Sequence, residues 1–318
     1  MSEIAVGIDI GGTNSHIGIV SDTGEVLQED QVSTRDYPRA EHFVQETTRK
    51  IQLILEKNRD HQFKGIGIGA PNGNFFNGTI EYAPNLIWEG IVPLVDMFSE
   101  RFDEPAVLTN DANAAAIGEM MFGGARGMKD FILITLGTGL GSGIVVNGDL
   151  VYGHNGFAGE IGHTFTLFED GRDCGCGRRG CLETYASAQG IKRTVFELLA
   201  NRMEESELRD YTFNQMTSEH IYQAALNKDP LALEAFDRTG RYLGKKLADS
   251  VAHTTPQAIY LYGGLAKSGN LLLDPTRKYF QQYLLNIFQG EVTIECSELN
   301  EKFGAILGAA ALVWKKRK

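Results

Sequence analysis

No apolar run in this 318-residue sequence is long enough to cross a bilayer. The longest, Ala305 to Trp314, falls well short of the ~20 residues that a spanning helix needs, so no membrane partner is expected. The opening residues do not read as a secretory leader either. Met1 to Ile10 has the pattern of a strand, with Glu3 and Asp9 inside it. Positive charge is in short supply: 30 Lys and Arg against 41 Asp and Glu leave a formal net charge of -11. A nucleic-acid partner would need a basic face, and none is expected. The one dense positive run, Lys315-Lys316-Arg317-Lys318, reads as cations placed at the negative end of a helix. Cysteine is scarce as well, and the four present make no disulfide framework, which points to a reducing cytoplasm.

The length suits two domains, and 42% hydrophobic with 22% charged residues is ordinary for a globular protein. Ile4 to Ile10 reads as a strand, followed by Gly11, Gly12, Thr13 and Asn14 and a second strand to Val20. Asp22 to Glu25 turns into a third, Val26 to Val32. Glu41 to Asn58 carries Phe43, Val44, Ile51 and Leu55 at helical spacing, and Gly65 to Ala70 is a buried strand leading to Pro71. The pattern then returns. Phe131 to Leu136, the turn Gly137 to Gly143 and the run Ile144 to Val146 are strand, glycine turn, strand, with Asn147 to Asp149 turning into Leu150 to Tyr152. Two such units predict an internal duplication, with two α/β lobes and a cleft between them. Further helices are expected over Ala186 to Met203, Ser218 to Asn227, Pro230 to about Ala252 and Phe303 to Trp314, with a strand over Ala258 to Tyr262. In the last helix, Gly304, Gly308 and Ala311 permit close packing.

Both glycine turns suit phosphate: backbone N–H groups can wrap an anion, and Thr13 and Thr138 add hydroxyl donors. Neither is a Walker loop, because no Gly-x4-Gly-Lys-[Ser/Thr] pattern occurs and Lys267-Ser268 follows Ala266. Neither is a dinucleotide fingerprint, because Gly137 to Gly143 leads into a strand where such a site needs a helix. Asp9, just before the first turn, is placed to hold Mg²⁺ through water. Asp111 sits between the strand Ala106 to Leu108 and a helical run from Ala114. Its simplest reading is a helix N-cap; its functional reading is a general base that accepts a hydroxyl proton.

Three of the cysteines, Cys174, Cys176 and Cys181, fall within eight residues among glycines, and His163 lies eleven positions upstream. Three sulfurs and an imidazole make a closed tetrahedral set of the kind Zn²⁺ prefers, structural because no coordination position is left for water. Cys296 reads as a lone thiol in a strand. If one ring nitrogen of His163 holds Zn²⁺, its other N–H is fixed in direction, and with Glu160 and Glu183 it forms a hydroxyl-reading site.

These residues resemble the ROK family of sugar kinases and repressors. The resemblance runs over nearly the whole chain, through Asp9 to Asn14, Gly69 to Pro71, Asn110-Asp111, Leu136 to Gly139, Gly159 to His163, Cys174 to Glu183 and Gly304 to Ala310. It implies a duplicated actin-like, ribonuclease-H-like fold and ATP-dependent phosphorylation of a hexose, with structural Zn²⁺ on His163, Cys174, Cys176 and Cys181. It implies Asp111 as the base, with Asn110, Asp111, Glu160, His163 and Glu183 on the sugar. ATP and Mg²⁺ would be held by Asp9, Gly11, Gly12, Thr13, Asn14, Gly137, Thr138 and Gly139, with Gly263, Gly264 and Leu265 flanking the adenosine. The last helix would return to the first lobe, giving lobes 1–112 plus 303–318 and 113–302. The chain departs from the family at Asn72, where many members have glycine; its side chain either contacts the sugar or turns the loop. Glucose and its 6-hydroxyl are the leading expectation, N-acetylmannosamine, N-acetylglucosamine and fructose the alternatives, and a homodimer or higher homo-oligomer the expected state. A sugar-responsive regulator without turnover is the reading from a different class. A repressor of this kind carries a DNA-binding module before the first glycine turn, and Gly11 leaves no room for one.

Overall fold

The first strand, Glu3–Ile10, is apolar over most of its length because both of its faces are covered. A computed structural model describes residues 2–167, 170–300 and 302–315; positions 316–318 of the cationic run lie outside them. Strands β1 (Glu3–Ile10), β2 (Asn14–Ser21), β3 (Val26–Ser33) and β4 (Gln62–Gly69) are followed by three short ones, β5 (Gly73–Asn74), β6 (Thr79–Glu81) and β7 (Ile91–Val92), and by β8 (Ala106–Thr109). The sheet order is β3-β2-β1-β4-β8, with β1–β2 and β2–β3 antiparallel and β1–β4 and β4–β8 parallel; β5-β6-β7 form a separate small sheet. Strands β9 (Phe131–Leu136), β10 (Leu140–Val146), β11 (Asp149–Leu150), β12 (Ala258–Tyr262) and β13 (Thr293–Cys296) repeat the arrangement as β11-β10-β9-β12-β13, with β10–β11 antiparallel and β9–β12 and β12–β13 parallel. The duplication expected from the two glycine turns is thus present strand for strand. One detail differs. The third strand of the second repeat, expected to run to Tyr152, ends at Leu150. After one more bond, Val151 N–H to the Ile144 carbonyl at 2.8 Å, the chain turns away.

By contact density the chain divides into two units: Met1–Met128 with Gly143–Gly159 and Glu298–Lys318, and Lys129–Ser142 with Glu160–Ser297. In the first unit, α1 (Ala40–Lys57) buries Phe43, Val44, Thr47, Ile51 and Ile54 along one face, and α2 (Leu94–Ser99) adds Leu94 and Phe98 to the same core. Helix α3 (Asp111–Phe122) follows β8. In the second unit lie α4 (Ala188–Asn201), α5 (Ser218–Leu226), α6 (Pro230–Thr254) and α7 (Asn270–Tyr283). Sequence patterning does not disclose α7, because Pro275 interrupts it. The helix persists because Pro275 and Thr276 lie against Gly240 and Gly244 of α6, where a Cβ would collide with them. Last comes α8 (Gly304–Lys315), buried on all sides from Ile306 to Val313. A Cβ on Gly67 of β4 would fall on the Ala309 carbonyl, and one on Gly308 would approach the Ala114 carbonyl to 2.5 Å. Backbone-to-backbone approach is therefore what seats α8 between the sheet and α3. Among the described residues no helix is long and apolar enough to cross a membrane.

Candidate active site

The parallel strands β1, β4 and β8 put Asp9 opposite Gly69 and Gly69 opposite Thr109. Their carboxyl ends, the edge where open α/β sheets bind ligands, therefore present Asp9, the Pro71–Asn72 turn and Asn110–Asp111 together. The Gly11 N–H bonds the Asn14 carbonyl at 3.2 Å, closing the turn after β1, and the Thr13 carbonyl accepts the Thr34 N–H at 2.9 Å, which anchors it. The Thr13 and Asn14 side chains remain exposed. A side chain at Gly12 would fall on the carbonyl of Asn85. The sequence alone did not single out Asn85; the signal available was its place after Pro84, a loop dipeptide of no special pattern.

Two adjacent polar residues compete for the start of α3, and the structure gives the cap to Asn110. It is extended (φ -71°, ψ 159°), and its Oδ1 accepts the Asn113 N–H at 2.7 Å. Asp111 is the first helical residue, so the capping role expected for it from sequence is corrected. Its carboxylate takes only the neighbouring Ala112 N–H, at 2.8 Å, and is open to solvent. Protein nevertheless crowds it on most sides, and that partial desolvation raises its pKa above the usual carboxylate range. Burial, and then the Asp111 charge, push Asp9 up to about 6. A dication beside Asp9 would relieve that repulsion, so this pair fits a Mg²⁺-bearing substrate.

Asn72 occupies a left-handed conformation (φ 51°), and its Nδ2 donates to the carbonyls of Glu81 (2.9 Å) and Tyr82 (3.2 Å). The side chain thus staples the turn to β6. Glu81 Oε1 gathers the same segment further, accepting from Asn74 Nδ2 (3.0 Å), Asn77 Nδ2 (3.1 Å) and Thr79 Oγ1 (2.8 Å).

In the second unit, the ends of β9 and β12 lie side by side, Thr135 opposite Tyr262. Gly137 donates to the Gly139 carbonyl (3.1 Å) and accepts from the Ala188 N–H (2.9 Å), leaving Gly137 and Thr138 exposed. Glu183 closes the turn from behind. Its Oε2 accepts the Leu140 N–H at 3.1 Å and fills the space where a side chain on Gly139 would be. Gly263 (φ 103°) brings the chain against Leu136, beside that turn. Gly264 has open space around it, whereas Leu265 is buried.

The three clustered cysteines and His163 have donor atoms all within 4.8 Å of one another. Cys176 Sγ and Cys181 Sγ are 3.7 Å apart, Cys174 Sγ and His163 Nδ1 3.6 Å. A tetrahedron with Zn–S of about 2.3 Å and Zn–N of about 2.0 Å requires S···S near 3.8 Å and S···N near 3.5 Å. These two spacings match, and with every donor within 4.8 Å of the others the set suits Zn²⁺ in number, type and convergence. Burial pushes the Cys174 thiol up to about 12. Cys176 is brought down to about 6: burial opposes this, but hydrogen bonds from Arg178 prevail. Arg172 roots the loop: its guanidinium donates to the carbonyls of Thr184 (2.7 Å) and Gly190 (3.0 Å), to Thr194 Oγ1 (2.9 Å) and to Glu197. With Nδ1 turned toward the sulfurs, His163 Nε2 faces Glu160 Oε2 at 4.0 Å. Glu160 is exposed, and the half-buried Glu183 touches the cluster through Oε1, 3.5 Å from Cys174 Sγ. Cys296 stands apart, its thiol 3.6 Å from the Ala266 carbonyl.

The sequence matches the ROK family over residues 5–316. It is 36% identical over 311 residues to the glucokinase of Halalkalibacterium halodurans, covering 95% of this chain and 93% of that one. It is 30% identical over 311 residues to the xylose repressor of Caldicellulosiruptor bescii, covering 97% of this chain and 77% of the repressor. The structure superposes with a TM-score of 0.80 on a ROK family glucokinase from Streptomyces griseus in complex with glucose and AMPPNP, at 35% identity over 97% of this chain and 98% of that one. The duplicated sheets are those of the actin-like sugar kinases, and the chain belongs to the ROK family.

Proposed function

We propose that this chain is a glucokinase that moves the γ-phosphoryl group of ATP to the 6-hydroxyl of glucose. That it is an ATP-dependent sugar kinase follows from its kinship with glucokinases across nearly its full length; the hexose, the hydroxyl and the residue roles are the proposal. The observation that supports it best is Asp111: a solvent-reachable carboxylate of raised pKa, released from capping by Asn110, at the strand edge that also carries Asp9.

Asp111 accepts the 6-hydroxyl proton as that oxygen attacks the γ-phosphorus and the bond to the ADP oxygen breaks. Phosphoryl transfer of this kind depends mainly on positioning and charge. Asn110, Glu160, His163 and Glu183 orient the sugar hydroxyls, and the Asn72 turn shapes the sugar's surroundings. The turns at Gly11–Asn14 and Gly137–Gly139 donate N–H groups to phosphates, and Gly263, Gly264 and the Leu265 backbone flank the adenosine. Mg²⁺ accompanying ATP neutralises phosphate charge, with Asp9 beside it. Zn²⁺ bound by His163, Cys174, Cys176 and Cys181 supplies rigidity, holding His163 so that Nε2–H points toward Glu160 and the sugar.

ADP release measured with Mg-ATP against a panel of hexoses and N-acetylhexosamines tests the substrate. Glucose should give the highest kcat/KM; a preference for an N-acetylhexosamine or fructose would reassign it, and no turnover with any sugar would favour a regulator. The pH dependence gives a second test. The base works unprotonated, so a raised pKa moves loss of activity to higher pH. The acid limb of kcat/KM, which reports the free enzyme, should lie above the ordinary carboxylate range. It should also be steeper than a single proton, because Asp9 titrates near 6. A single-proton limb near pH 4 would count against the assignment.

A further inference from the structure

Every N–H of the Arg172 side chain is used, all of them within the second unit. Nε and Nη2 grip the two carboxylate oxygens of Glu197 at 2.8 and 2.7 Å, and Nη2 also donates to Thr194 Oγ1. Nη1 donates to the carbonyls of Thr184 and Gly190. The guanidinium lies 4.6 Å from the centre of the Tyr185 ring, and the Arg172 backbone N–H donates to the Tyr185 hydroxyl at 2.8 Å. One side chain therefore holds the polypeptide at Thr184 and Tyr185 and again at Gly190, in the first turn of α4.

The stretch held in this way is the one that seats the glycine turn after β9. Glu183 Oε2 accepts the Leu140 N–H at 3.1 Å, and the Ala188 N–H donates to the Gly137 carbonyl at 2.9 Å. Within the turn, the Gly137 N–H is bonded to the Gly139 carbonyl, that of Leu140 to Glu183 and that of Gly141 to Thr135 Oγ1. Among the described residues, no protein acceptor takes the N–H groups of Thr138 and Gly139. Those two donors stand between the two pinned points. Successive backbone N–H groups of this kind suit an anion, and a shift of either pin would turn them away from it. The same arginine closes the cysteine loop, because its carbonyl accepts the Gly180 N–H at 2.9 Å.

We infer that Arg172 is a positioning residue for the nucleotide: by holding Thr184 and Gly190 it fixes Glu183 and Ala188, and these set the direction in which the turn presents its two open N–H groups. This rests on the reading of Gly137–Gly139 as a phosphate turn. It gives Arg172 an effect on ATP, beyond the metal and the sugar to which its place beside the cysteines points.

The test is calorimetry with Mg-AMPPNP in the absence of sugar, on protein with zinc in excess, beside amide exchange followed by NMR. Arg172→Lys keeps the charge but offers three donors and no planar fork. It should weaken AMPPNP binding about tenfold, the scale of one charge-assisted hydrogen bond to phosphate, and speed exchange of the Leu140 and Ala188 amides. At saturating ATP and glucose, kcat should stay near the parent's, as expected when ground-state binding is what is lost. Glu197→Ala acts at the exposed end of the fork, where folding is not at stake. It should move both readouts the same way by less, and added to Arg172→Lys it should change little further, because the grip is already gone. A merely structural arginine would lower the melting temperature and leave AMPPNP affinity alone. An affinity within about twofold of the parent's in Arg172→Lys, too small a change for a lost hydrogen bond, would overturn the inference. So would unchanged exchange at Leu140 and Ala188 in both variants. The parent separates the two claims, since its Thr138 and Gly139 amide resonances should shift when Mg-AMPPNP is added. A shift there beside normal AMPPNP binding by Arg172→Lys sinks only the bracing role, whereas no shift removes the turn itself from the phosphate site.

Discussion

Asp111→Asn should lower turnover by about 10²–10⁴-fold, the usual weight of a general base in proton transfer, while glucose binding measured by calorimetry changes little. The amide is nearly isosteric and keeps an oxygen for the Ala112 N–H that Asp111 now accepts at 2.8 Å, so the start of α3 survives. The Asn110 cap, a separate side chain, is untouched. Loss of turnover without loss of the helix or of sugar affinity would assign the chemistry to the carboxylate. Near-parental kcat would remove Asp111 from the mechanism, and a parallel collapse of binding would make it a ligand for the sugar in place of a base. The substitution also deletes the charge that helps raise Asp9. Asp9 should then titrate closer to an ordinary carboxylate, which carboxyl-resolved NMR of the variant can follow.

The second large effect belongs to the cysteine loop. Cys176→Ser, or exhaustive chelation, should release about one zinc per chain by metal analysis. Where free zinc exceeds its Kd about 1,000-fold, the metal contributes roughly 4 kcal/mol to the folded state, so the melting transition should fall by an amount of that order. The glucose KM should rise by about tenfold or more, the scale on which disturbing a metal's surroundings acts. The cause is geometric. His163 Nδ1 belongs to the four-donor cluster, and a metal bound there would add a bond that holds the ring with Nε2 toward Glu160, 4.0 Å away. Unchanged zinc content, or zinc lost with an unchanged KM, would each break the link between the metal and sugar recognition.

Much of this was legible in the residues because it depends on local chemistry. Strand, glycine turn and strand, read twice, report the duplicated sheets. Three cysteines among glycines with one histidine leave little choice of partner, and their donor atoms are found gathered within 4.8 Å of one another. What stayed hidden depends on which of two adequate candidates the backbone favours. Asn110 and Asp111 are both good caps; only the extended conformation at Asn110 decides between them. Asn72 had two readings for a similar reason, and its amide is found stapling the turn. Helix α7 was concealed by Pro275, whose tolerance depends on Gly240 and Gly244 in a different helix.

The seat of α8 also has a consequence in time. Its bed is β1 and β4, made among the first residues of the chain, and the helix itself, Gly304–Lys315, follows β1 by about 300 residues. The groove is complete once β4 ends at Gly69, so at about 5–20 residues per second a nascent chain exposes it for some 12–47 s before its occupant begins to be synthesised. The second unit, Lys129–Ser142 with Glu160–Ser297, is complete before α8 is made and can settle in the meantime. Synthesis therefore runs in one order and consolidation in another, with the part that begins first finished last. A cell making this enzyme should need holding chaperones chiefly for its opening strands, and slow codons late in the message would prolong that dependence.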